Sequence, residues 1–113
     1  MLAAKYRLAK KKDIGYLFKH GKKIFSHFFI INYLPNSLKN CRITVVIANK
    51  ITKKATARNQ IKRKLREILR LNLSNFRENY DIIIVLRSPL NDFKYQEIQD
   101  LLLAEFKKNN LMK

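Results

Sequence analysis

Residues 50–73 read KITKKATARNQIKRKLREILRLNL, and the periodicity of this stretch decides how the rest of the chain folds. Turned at about 100° per residue, Ile61, Leu65 and Ile68 fall on one face. Asn59, Lys62, Arg63, Arg66 and Arg70 share an arc of roughly 100° that faces away from it. The spacing predicts an amphipathic helix with a single apolar seam. Like charges at i, i+3 and i+4 repel one another and weaken an isolated helix. Such density is intelligible if a polyanion lies along the face. Phosphate suits it best, because guanidinium forks match its oxygens in pairs and lysine adds a point charge.

On either side of this helix lie apolar segments of strand type. Residues 42–48, RITVVIA, precede it and residues 81–86, DIIIVL, follow it. The second is a continuous apolar run, as expected of a strand covered on both faces. Strand, helix and strand form one β-α-β unit, so part of the sheet should be parallel. A linker over 49–54 leads into the helix, with Thr52 or Thr56 as its N-cap, and Asn72, Ser74 and Asn75 mark its end.

Upstream, residues 1–12 are basic and either extended or frayed, with Leu8 as the first anchor. Residues 13–20 form a short helix: Ile14, Leu17 and Phe18 repeat at i, i+3 and i+4, Asp13 suits its positive end, and Lys19 and His20 suit its negative end. Gly21 is expected to stop it in a left-handed conformation. Gly15 inside it costs about 1 kcal/mol relative to alanine. Residues 22–34, KKIFSHFFIINYL, read as a strand interrupted near Ser26, and Pro35-Asn36-Ser37 opens a turn to Asn40. Strand 42–48 should then run antiparallel to it across that short connection. The last element, 93–107, puts Tyr95, Ile98, Leu102 and Phe106 on one side of a helix. The order is α-β-β-α-β-α, an α+β fold with helices packed on a single mixed sheet. At 113 residues the chain is one domain, 1–113.

Composition narrows the chemistry. Hydrophobic residues at 47% with 29% charged indicate a globular chain rather than a disordered one. Residues 1–66 carry 18 Lys and Arg against one acid, Asp13, while residues 67–113 carry 7 against 7. The whole +17 surplus therefore belongs to the first 66 residues, which points to nucleic acid ahead of an anionic membrane surface or a generally basic, solvated one. Cys41 is the only cysteine, so neither an internal disulfide nor a zinc cluster can form. Two glycines cannot build a phosphate-cradling loop. The best apolar run, 24–34, is broken by Ser26, His27 and Asn32, so no membrane span is expected, and with no signal-peptide core the location expected is cytoplasmic. His20 and His27 suit a helix end and a strand, and Glu97, Asp100 and Glu105 the solvated face of the last helix. No nucleophile–base pair emerges, and no metal site. Binding remains.

Residues 55–67, ATARNQIKRKLRE, resemble the RNR signature of the bacterial ribonuclease P protein subunit, A-x-x-R-N-x-I-K-R-x-x-R-E, at every defined position. The similarity extends over residues 7–106. Arg7-Leu8 and 13–21 resemble the family's first helix and its stop, Arg42-Ile43 and Ala48 its strand before the motif, and 81–86 the strand after it. Two positions depart: Ile14 stands where the family usually has an aromatic, and Lys53 where a glycine is common.

The resemblance implies an accessory subunit of a ribonucleoprotein. In that family a large RNA carries out the metal-dependent hydrolysis that removes the 5′ leader from precursor tRNA, and a left-handed crossover joins the strands around the motif helix. Arg58, Asn59, Lys62, Arg63, Arg66 and Arg70, extended by Lys50, Lys53 and Lys54, are then expected to contact the RNA subunit. Arg58, at the edge of the apolar arc, either reaches phosphate along that surface or braces the helix start. Phe18, Ile14, Tyr33, Phe28 and Phe29 are the candidates for the leader, held between the first helix and the sheet. Alternation sends one ring of the Phe28/Phe29 pair into the core without saying which. No cofactor is expected on the protein alone, with Mg2+ at the RNA. The expected partners are the catalytic RNA, one to one, and precursor tRNA, with no membrane. A ribosomal-type protein or a helix-turn-helix DNA reader explains the charge but not the full-length match, and the motif helix follows a strand rather than a helix. A self-sufficient nuclease lacks its acid–base pair.

Overall fold

The computed structural model describes residues 3–48 and 50–113. Helix α1 spans Lys11–His20, followed by strands β1 Lys22–Phe25, β2 Phe29–Pro35 and β3 Arg42–Ile47. Then come α2 Ala55–Asn72, β4 Tyr80–Leu86 and α3 Tyr95–Lys108. The expected strand 22–34 is two strands, because residues 26–28 turn the chain back into a hairpin; Ser26 closes it, accepting from the Phe29 amide and donating to the Phe29 carbonyl, both at 3.0 Å. The element order therefore gains one strand over the sequence expectation.

The sheet order is β1-β2-β4-β3, with β4 antiparallel to β2 and parallel to β3. The expected pairing of 42–48 with the preceding strand is thus corrected: β4 inserts between β2 and β3. Its sequence demands that place, since Ile82, Ile83 and Ile84 are all fully buried and only an inner strand has two covered faces.

One face of the sheet, carrying Phe29, Ile31, Ile43, Val45, Ile82 and Ile84, packs on α2 through Ile61, Leu65, Ile68 and Leu69, and on α3 through Ile98, Leu102 and Phe106. The other face carries a smaller cluster in which Leu8 and α1's Leu17 pack on Ile83, with Ile14, Leu34, Val46 and Val85 at its margin. The helices α1 and α2 therefore lie on opposite faces. Leu8 is the first anchor as expected, and its amide donates to the Ile43 carbonyl at 3.2 Å.

Gly21 ends α1 at φ −74°, which is extended backbone and not the expected left-handed residue. Glycine is required there for room: a Cβ would lie 2.6 Å from the Leu17 carbonyl oxygen and 3.0 Å from that of Tyr33. At α2 the N-cap is Lys54, with no side-chain cap, so neither Thr52 nor Thr56 takes that role. Asn49, the first residue of the expected linker, lies outside the described residues, as do Met1 and Leu2.

Candidate nucleic-acid interface

Helix α2 buries its apolar seam and leaves Asn59, Arg63, Arg66 and Arg70 exposed, with Lys62 half-buried beside them. Asn59, Lys62, Arg63, Arg66 and Glu67 together line a shallow recess of about 320 Å³. Arg70 is engaged internally: its Nε donates to Glu67 Oε2 at 3.2 Å, and this bond holds the Glu67 carboxyl below its ordinary range. Among the described residues Lys62, Arg63 and Arg66 form no ion pair, so three neighbouring cations border the recess without a salt-bridge partner. Lys50, Lys53 and Lys54 are exposed just ahead of them.

Arg58 braces the helix start. Its Nη1 donates to the carbonyls of Thr52 at 3.0 Å and Lys53 at 3.1 Å, tying the incoming chain to the first turn. This supplies the fixation that an N-cap side chain would otherwise give.

The second surface lies between α1 and the sheet. Ile14 and Phe18, four residues apart, share one flank of α1. Ile14 is half-buried and Phe18 38% exposed. Below them the sheet presents Ile30, Thr44, Val46 and Val85, all half-buried, and Phe25, 66% exposed and the register partner of Ile30.

Three of the five leader candidates lie elsewhere. Phe29 is 1% exposed within the main core, so no base can stack on it. Tyr33 shares that face, because strand side chains repeat every second residue, and its ring sits 6.0 Å from Tyr80. Phe28 packs edge-on against Phe93 at 5.3 Å, also on the main core. Sequence reasoning missed Phe25 as the open aromatic of the α1 face. Period-two alternation finds it once the hairpin at residues 26–28 is placed.

The two surfaces meet around the edge of β3. A recess of about 260 Å³ there is lined by Arg7, Leu8, Ile14, Thr44 and Arg66, among others. His20 stacks on Tyr16 at 4.3 Å and His27 packs on Phe28 at 4.6 Å. No three His, Cys, Asp or Glu side chains gather as a metal site among the described residues. No helix among the described residues is long and apolar enough to cross a membrane.

Residues 2–110 match the family model described as Ribonuclease P. A ribonuclease P protein component from Pelotomaculum thermopropionicum is 34% identical over 101 residues, covering 89% of each chain. The solved ribonuclease P protein of Thermotoga maritima superposes with a TM-score of 0.81 at 29% identity, over 90% of this chain and 96% of that one. That of Staphylococcus aureus superposes with a TM-score of 0.85 at 27% identity, over 96% and 98%.

Proposed function

The chain belongs to the ribonuclease P protein family, and from that premise we propose which of its two surfaces meets which RNA. The chain is the protein subunit of an endoribonuclease of tRNA processing; it associates with ribonuclease P RNA, and the RNA carries the catalysis. The basic face of α2 holds that RNA. Lys62, Arg63 and Arg66 bind phosphate oxygens, Asn59 adds an amide at the same recess, and Lys50, Lys53 and Lys54 extend the track. Arg58 and Arg70 act beside them, Arg58 by fixing the helix start and Arg70 by sharing its charge with Glu67. Each phosphate contact releases condensed counterions, which is the main source of affinity.

The leader of precursor tRNA lies in the cleft beneath α1. Phe18 offers a ring on which any base stacks, Ile14 closes the flank, and Phe25 offers a second ring at the sheet edge. Stacking of this kind is worth about 1–3 kcal/mol per base without regard to sequence. Mg2+ belongs to the RNA subunit, where it supplies the charge neutralisation that hydrolysis of a phosphodiester needs. One protein binds one RNA, in the cytoplasm. A single observation carries the assignment of α2: Lys62, Arg63 and Arg66 border one recess and, among the described residues, none of them forms an ion pair.

The test is precursor-tRNA cleavage with and without the RNA subunit, beside a binding titration against that RNA. Cleavage is expected only when the RNA is present, and binding should weaken steeply with salt. Cleavage by the protein alone, or a flat salt response, overturns the proposal.

A further inference from the structure

We infer that the outer crest of α1 carries the leader onward after it leaves the cleft. The inference rests on the leader occupying that cleft. Lys11, Lys12, Gly15 and Lys19 occupy an arc of roughly 100° opposite the buried Leu17. All four are exposed, and among the described residues none of the three lysines has an ion-pair partner. The one acid of the first 66 residues, Asp13, sits on the other side of the helix and is bound to Arg42 at 3.3 Å.

Gly15 is the informative residue. A Cβ built there meets nothing within 4 Å, so the fold has no need of glycine at this position. Glycine inside a helix nevertheless weakens it relative to alanine. A bare stretch of backbone among three lysines suits the close approach of something outside the chain. A ribose–phosphate backbone has the charge and the profile to use it. The crest adjoins the flank bearing Phe18, so a strand lying on that ring reaches Lys11 and Gly15 next. It also points away from the ribozyme-binding surface: the crest lies opposite the buried Leu17, whereas the recess α1 shares with Arg66 of α2 opens on the Ile14 side of the helix. A separate RNA segment is therefore the fitting occupant.

The holoenzyme is titrated with precursor tRNA bearing either a leader that ends within the cleft or one extended upstream. Gly15→Leu and the double variant Lys11→Ala/Lys19→Ala are compared with Phe18→Ala. Both crest variants should weaken binding of the extended leader and spare the short one. Its salt slope should fall by about 0.7 for each lysine removed. Gly15→Leu should at the same time raise the melting temperature, which separates lost contact from lost fold. Equal weakening for both leaders, no weakening for either, or a loss of affinity for the RNA subunit alone overturns the inference. Crest variants without effect beside a weakened Phe18→Ala overturn the crest and leave the cleft standing. Phe18→Ala without effect on either leader overturns the cleft, and this inference with it.

Discussion

Arg42 and Asp81 are register partners on the parallel strands β3 and β4, joined by two hydrogen bonds, Nε to Oδ1 at 2.8 Å and Nη2 to Oδ2 at 2.7 Å. The same guanidinium reaches Asp13 on α1 at 3.3 Å, and Asn36 donates to Asp81 at 2.8 Å from the turn after β2. One side chain thus pins the helix that roofs the cleft to two strands of its floor. Breaking a fully buried pair costs about 3–5 kcal/mol, and the Arg42 side chain is 22% exposed. Arg42→Ala should therefore lower the unfolding free energy by about 2 kcal/mol, read from urea denaturation. Arg42→Lys should recover little, since an ammonium cannot make the paired bonds. An unchanged urea midpoint for Arg42→Ala would show that the clamp contributes nothing.

On α2 the arginines divide by what they touch. Arg66→Ala should weaken binding to the RNA subunit and reduce the slope of log affinity against log salt by about 0.7–0.9, the share of one phosphate. Its circular dichroism should match the parent. A loss of helicity in step with the loss of binding would assign Arg66 to the fold instead.

Arg58→Ala should behave differently. It removes two donations to carbonyls of the incoming chain, each worth about 1 kcal/mol net. The melting temperature should drop while binding measured on the folded fraction changes less than for Arg66→Ala. The opposite ranking would make Arg58 a phosphate ligand first.

The contrast between these helices and the sheet explains what could be read from residues alone. The basic face of α2 is legible because helical periodicity is local: Ile61, Leu65 and Ile68 define the seam within eight residues, and all three are buried. The inner strand β4 is legible because an uninterrupted DIIIVL fits no edge position. The pairing of β3 is not, since β4 enters between it and β2 from a distant part of the chain. Nor are Arg42's partners, which lie 29 and 39 residues away with no local pattern linking them. The faces of β2 hinged on where the hairpin turned, and a one-residue slip exchanges Phe29 with Ile30.

Cys41 sits 4% exposed at the entrance to β3, and burial, with the charge of Asp81 adding to it, pushes its thiol up to about 11 from 9.0. The folded protein therefore keeps this proton where the unfolded chain loses it. Cys41's contribution to stability is complete below pH 9.0 and is lost as pH climbs through about 11. Cys41→Ala should flatten the fall of melting temperature across that window. A thiol reagent at pH 8 should label the native protein slowly and the urea-unfolded protein fast. Rapid labelling of the native state would contradict the burial.

The two faces of the sheet separate stability from leader binding. Phe29→Ala opens a hole in a core where the ring is 1% exposed, which costs about 3–5 kcal/mol. That is a large share of the roughly 5–15 kcal/mol available to a domain. Phe18→Ala removes a ring already 38% exposed, so its melting temperature should move little. In the holoenzyme the same change should weaken precursor tRNA by about 1–3 kcal/mol and leave leaderless tRNA alone. Tyr33→Ala, on the far face against Tyr80, should do the reverse, lowering stability without touching leader affinity. If Tyr33→Ala weakens the leader as much as Phe18→Ala does, the leader follows the α2 and α3 face of the sheet and not the cleft beneath α1.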